Sequence, residues 1–224
     1  ALTVAAVATF LLAKSGFPPP SILEPSPIPT INADENATSR ISFGSKILTL
    51  GPDNPAKQEG VDFIAAGEYQ QAVSSLESAR KVNQSDPEIL IYLNNARIGN
   101  AKSYAIAAAM PVGDTPDSAN EMLRGVAQAQ DEINAAGGIN GVPLKVAIAN
   151  DDNRPEAAKA IAKELVKNPE ILGVVGHGIS DTTLAAGAVY QSGELVASAP
   201  VSSAIQLSGM GRYVFRTMPS DRYT

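Results

Sequence analysis

The chain has no cysteine, one histidine and only 18% charged residues among its 224. Without cysteine there is neither a disulfide scaffold nor thiolate chemistry. A single histidine with no thiol beside it leaves a transition metal without its usual donors, and no metal or other cofactor is expected. The net charge of −6 gives no electrostatic case for nucleic acid or for an anionic membrane surface. No Gly-Lys-Ser/Thr run completes a phosphate loop, and Gly173-x-x-Gly176-x-Gly178 is not Gly-x-Gly-x-x-Gly. In Gly176-His177-Gly178-Ile179-Ser180 the serine falls one place late for a nucleophile elbow, and no second histidine could serve as its base. Catalysis is not supported, so a binding protein is expected in place of an enzyme.

What is present is 44% hydrophobic residue, punctuated by 16 prolines and 18 glycines. Ala1–Ala13 is an almost unbroken apolar run closed by Lys14. It is shorter than the ~20 residues a bilayer span takes and has the length of a signal-peptide core or of part of a membrane anchor. A buried helix is the other reading. Between Gly16 and Thr30 stand Pro18, Pro19, Pro20, Pro25, Pro27 and Pro29, which favour an extended, semi-rigid spacer. A short strand is expected at Ile47–Leu50.

Helical patterns follow at Pro55–Ala66 and Tyr69–Val82, and Asp86-Pro87-Glu88 opens a third through about Ile98. Gly60, Phe63, Gly67, Tyr69, Ala72, Leu76 and Ala79 resemble the pattern of a tetratricopeptide helix hairpin. Small residues at Gly60, Ala72 and Ala79 would let two antiparallel helices approach closely, with Tyr69 plugging the turn. So short an array should pack against the following segment or a partner. It reads either as a docking module or as a helical spacer.

From Ala101 onward strand-like and helical runs alternate. Strands are expected at Tyr104–Ala109, Leu144–Ala149, Ile171–Val175, Leu195–Ser198 and Tyr213–Arg216. Helices are expected at Ser118–Ala135, Pro155–Lys167 and Asp181–Gln191. The pattern predicts an α/β fold with a parallel, doubly wound sheet, preceded by the α-helical hairpin. Ser118-x-x-Glu121 reads as a capping box, and Met122, Val126, Ala129 and Ile133 as the core stripe of its helix. Asp151-Asp152 could suggest magnesium, but carboxylates ending a strand are more often solvated or capping. His177, between two glycines, reads as structural.

Gly125 to Asn134, Gly137-Gly138-Ile139-Asn140-Gly141, Asp151-Asp152-Asn153, Gly176-His177, Ser202-Ser203 and Tyr213-Val214-Phe215-Arg216-Thr217 carry a family resemblance. In that order they resemble the opening of a periplasmic leucine/isoleucine/valine-type (type I) substrate-binding protein of ABC importers. The resemblance runs from Tyr104 to Thr224 and implies an extracytoplasmic receptor of two α/β lobes that close over an amino acid. It implies that this chain carries most of the first lobe, and so half of the cleft. The organisation expected is therefore 1–13 signal or anchor, 14–50 proline-rich linker, 51–100 tetratricopeptide-like helices and 101–224 partial first lobe.

By position in the family, Ser180 would hold the ligand's α-carboxylate at the amino end of a helix. Free N–H groups and the helix dipole favour an anion there by roughly 0.3–1 kcal/mol when exposed. Capping is the alternative role. Ser202 and Ser203 would complete the carboxylate and ammonium contacts, or serve as simple turn residues. Ser118 stands where relatives often offer an aromatic ring. The partners implied are a small amino-acid-like ligand and the membrane subunits of an ABC transporter, with self-association through the unpaired lobe surface. The reading from another class is a membrane-tethered interaction or sensory protein that docks a partner and binds no solute.

Overall fold

Proline and an acidic or amide cap set the start of two of the first three helices. In the computed structural model, which describes residues 37–223, α1 spans Pro55–Ala66, α2 Tyr69–Val82 and α3 Pro87–Ile98. The expectations for Ala1–Ala13 and Gly16–Thr30 lie outside the described residues. Asn54 caps α1 by accepting from the Lys57 N–H at 3.2 Å, and Asp86 caps α3 by accepting from Glu88 and Ile89 N–H at 2.9 and 3.2 Å. Gly67, at φ 77°, ends α1 in the left-handed conformation that glycine adopts without strain. Gly60 sits where a Cβ would stand 2.6 Å from Leu76 Cγ, so its missing side chain sets how closely α1 and α2 pack. Tyr69 lies half-buried with its ring against Gly99, where α3 ends.

The strand expected at Ile47–Leu50 does not form. Glu88, fully buried on α3, draws that segment in instead: its carboxylate accepts from Leu48 N–H at 2.7 Å and from the Thr49 hydroxyl at 2.5 Å. Lys57 Nζ neutralises it at 2.7 Å. The ordered strand comes earlier, as β1 at Ile41–Ser42, ahead of β2 Tyr104–Met110, β3 Leu144–Asn150, β4 Ile171–Gly176, β5 Val196–Ala199 and β6 Val214–Arg216. These form one six-stranded sheet in the order β1-β3-β2-β4-β5-β6, antiparallel at β1–β3 and parallel elsewhere. The doubly wound parallel sheet expected from the alternating pattern is therefore present, with an antiparallel edge added.

The crossover helices are α4 Pro116–Ala135, α5 Pro155–Lys167 and α6 Ser180–Ser192. One sheet face packs on α5 and α6 through Ala107, Ala109, Ala147, Ile161, Leu165, Val174, Ala197 and Val214. The other packs on α3 and α4 through Ala108, Met110, Val146, Ile148, Ile91, Leu93, Leu123 and Ala127. Alanine at Ala105, Ala107, Ala108 and Ala109 keeps β2 thin, so helices approach from both sides. The helices preceding residue 101 thus share a core with the sheet. The Asn95 side chain on α3 even acts as a strand partner, accepting from Val146 N–H at 3.1 Å and donating to Val146 O at 2.8 Å.

Helix α4 departs from expectation in two ways. Pro116 starts it two residues early, so Ser118 lies inside the first turn and no capping box with Glu121 forms. Glu121 pairs with Arg124 instead. Its buried stripe is Ala119, Leu123, Ala127 and Gln130, while Met122, Val126 and Ile133 are half-buried and Ala129 is exposed. The reason is polar: Gln130 and Asn134 amides donate to the Leu144 carbonyl, and Asn134 Oδ1 accepts its N–H at 2.8 Å. Satisfying that strand start rotates the helix, and the expected stripe lines a cavity of about 340 Å³ with Ile106, Val175 and Pro200. Beyond it Val196 and Phe215, 44% and 54% exposed, alternate with the buried Ala197 and Val214 and so point to the face that carries α3 and α4, at an edge left uncovered.

Candidate functional site

In an open α/β sheet the crevice forms where crossovers on either side of a strand run to opposite faces, beyond the strands' carboxyl ends. Here that place is the end of β2, flanked by β3 and β4. Its loops are tied to one another. Asn153 Nδ2 donates to Asp114 Oδ2 at 2.8 Å and to Thr115 Oγ1 at 3.2 Å, joining the β3 and β2 ends. Arg40 pairs with Asp152 at 2.7 Å and donates to Asn150 O, so the segment before β1 braces the same edge. Gly178 after β4 lies against Pro111 after β2 and against Met122 of α4.

Ser180 is the first residue of α6, with Ile179 at the capping position and no side-chain cap bond there. The alternative role for Ser180, as the cap, is therefore not the one it adopts. The first backbone N–H groups of α6 have no carbonyl one turn back and face the mouth of the sheet. Ser202 comes from the loop after β5; it is 1% exposed and its hydroxyl donates to Ser180 Oγ at 3.0 Å. Two hydroxyls and a helix amino terminus thus converge from adjacent strands. Ser203, half-buried beside Ser202, fixes its turn by its carbonyl, which accepts from Asp221 N–H at 3.1 Å and from Arg216 at 3.4 Å. Ser118 is exposed in the first turn of α4, one turn before Met122, and is not bonded to the other three.

The expectation that Asp151 is solvated or a simple cap is corrected. Asp151 is wholly buried, with Oδ2 at 2.6 Å from His177 Nδ1 and Oδ1 accepting from Asn153 N–H at 2.9 Å. His177 Nε2 stands 3.0 Å from the Tyr190 hydroxyl, and the two rings stack with centroids 5.9 Å apart. Burial, reinforced by the nearby Asp151 carboxylate, holds the Tyr190 hydroxyl protonated far above the ordinary phenol range. Gly176 permits the turn into His177, because a Cβ there would collide with the Ala109 carbonyl. Sequence spacing carries no sign of this grouping, since its members end two strands separated by β2 and close the far side of α6.

The profile of the periplasmic binding protein family matches residues 111–223, half of the chain. The chain belongs to the periplasmic binding protein family. An amino acid binding protein of Pseudomonas aeruginosa is 41% identical over 88 residues, covering 39% of this chain and 24% of that protein. The leucine-, isoleucine-, valine-, threonine- and alanine-binding protein of the same organism is 33% identical over 123 residues, covering 54% and 33%. Among solved structures, the branched-chain amino acid transporter substrate binding protein of Streptococcus pneumoniae, in complex with isoleucine, superposes with a TM-score of 0.51 at 26% identity. That match covers 54% of this chain and 35% of the other. The chain spans a quarter to about a third of the length of these relatives. The resemblance drawn from the ordered motifs is thereby shown, and these periplasmic binding protein relatives are named for binding and transport, not for a reaction.

Proposed function

We propose that this segment supplies one wall of an amino-acid-binding cleft in an extracytoplasmic receptor serving an ABC-type importer. The observation that carries it is the hydroxyl pair Ser202–Ser180, 3.0 Å apart at the amino terminus of α6. An α-carboxylate seated there would accept from the Ser180 hydroxyl, which Ser202 holds in place, and from the first N–H groups of the helix. Ser203 would add a contact from the same turn, and Ser118 would border the ligand's side chain from across the crevice. The relatives named for leucine, isoleucine and valine support a branched-chain or small amino acid as the ligand. The apolar run Ala1–Ala13 would export the protein or hold it at a membrane, with the proline-rich stretch as spacer, and α1–α3 would serve as a tetratricopeptide-like support.

The second reading is a docking role without solute, favoured by the uncovered apolar residues Val196 and Phe215, which could also support self-association. Titration of the chain with L-leucine, followed by amide NMR, separates the two. A single wall should bind at about 1 mM, equivalent to about −4 kcal/mol, and should move the signals of Gly178–Thr183 and Ser202–Ser203. Signals that stay in place there, in a folded sample, would leave the docking reading.

A further inference from the structure

Ser180 lies three residues after His177, and what fixes His177 fixes the start of α6. An ionised carboxylate only accepts, so His177 Nδ1 donates to Asp151 Oδ2 at 2.6 Å. In the neutral ring Nε2 then accepts from the Tyr190 hydroxyl at 3.0 Å. The chain Asp151–His177–Tyr190 joins the end of β3, the end of β4 and the late turns of α6, and all three side chains are at most 1% exposed. In the first turn of α6 the Thr182 and Thr183 hydroxyls donate to the Ile179 carbonyl at 3.0 and 2.7 Å. Gly178 is wedged against Pro111.

We propose that His177 is a positioning residue for the carboxylate-binding turn, clamped by Asp151 and Tyr190 so that Ser180 and the α6 amino terminus meet Ser202 in register. The proposal rests on the carboxylate-binding reading of Ser180 and Ser202. No ligand atom needs to reach the buried imidazole; it acts through the three residues that follow. Tyr190 locks the ring against rotation and anchors it to the same helix whose amino end it places. The device ties the sheet to both ends of α6.

The test uses the full chain and three variants. Tyr190→Phe keeps the ring and removes the hydroxyl, and His177→Leu removes both hydrogen bonds. Ile161→Val trims the same core from α5 and leaves all three side chains of the link in place. Tyr190→Phe should weaken L-leucine binding about fivefold to tenfold and speed amide exchange at Thr183 by a similar factor, with His177→Leu more severe in both. Ile161→Val should change neither beyond its effect on melting. Because the chain has one histidine, its ring nitrogens give one pair of NMR signals. These should shift on adding L-leucine and again in Tyr190→Phe. Exchange and affinity in Tyr190→Phe indistinguishable from Ile161→Val would overturn the proposal. If the unmodified chain ignores L-leucine while Tyr190→Phe still loosens Thr183, the carboxylate reading fails and the positioning role stands.

Discussion

Ser202 donates its hydroxyl hydrogen to Ser180 Oγ at 3.0 Å, from a residue 1% exposed to one at the open mouth of the sheet. The contact joins the β5 loop to the start of α6, so one hydroxyl is oriented by the other before any ligand arrives. Such preorganisation lowers the entropic cost of binding. Ser202→Ala should reduce L-leucine affinity about tenfold, near 1.4 kcal/mol. Stability should fall by only about 1 kcal/mol, the typical net worth of one hydrogen bond. Parallel NMR titration and urea unfolding measure the two.

Lys57 presents a different balance. It is 5% exposed and pairs with Glu88, which is wholly buried, and with Asp86, both at 2.7 Å. Lys57→Met would leave the Glu88 carboxylate buried without its cation, a loss of about 3–5 kcal/mol. Lys57→Met with Glu88→Gln should recover part of it, because the wholly buried charge is then gone and only Asp86 has lost its cation. Denaturant unfolding of the single and double variants checks the order.

Glycine at two helical positions should respond with opposite sign. Gly125 on α4 has open space where a Cβ would project, with nothing within 4 Å, so Gly125→Ala should gain about 0.5–1 kcal/mol from helix propensity. Gly60→Ala brings the same propensity, yet its Cβ would press on Leu76 Cγ, deep in the α1–α2 contact. Overpacking there costs about 1–3 kcal/mol, so the net effect should be destabilising. Thermal melts of the two variants show whether the contact outweighs the propensity.

Alkaline pH should weaken the fold from three places at once. Burial, with Asp151 beside it, raises the Tyr190 hydroxyl above its ordinary value, and burial with Glu88 does the same for Tyr92. Burial pushes the Lys57 ammonium down, but Glu88 and Asp86 together outweigh it and leave it raised. A group whose pKa is raised on folding gives stability that is complete below its unfolded value and lost above it. Melting temperature should therefore hold steady up to about pH 9 and fall steeply above about pH 10, where free tyrosine and lysine titrate. Tyr190→Phe should blunt the fall.

How much of this was legible beforehand differs by element. Pro55–Ala66, Tyr69–Val82, Pro87–Ile98 and Pro155–Lys167 begin at a proline or end at a turn signal, and their bounds coincide with expectation. The parallel strands differ only by a residue or so at their ends, because continuous apolar runs bounded by loops mark them. Ile47–Leu50 failed because its N–H groups go to a side chain, Glu88, that lies about 40 residues away and carries no local signature. The α4 stripe failed because Gln130 and Asn134, polar by residue type, are drawn inward by unpaired backbone at Leu144. Serines 180 and 202 could be named from motif order, whereas the Asp151–His177–Tyr190 link depends on β2 passing between two strands that sequence order places side by side.

The central claim is that the amino end of α6 binds a carboxylate. The direct measurement compares L-leucine with L-leucinamide, identical except for the missing negative charge, by NMR titration of the full chain. The account predicts shifts at Ser180, Asp181 and Ser202 with L-leucine and an affinity for the amide at least about tenfold weaker, because a neutral group gains little from the helix dipole. Equal responses to both compounds, or shifts confined to the Val196 and Phe215 face, would contradict it.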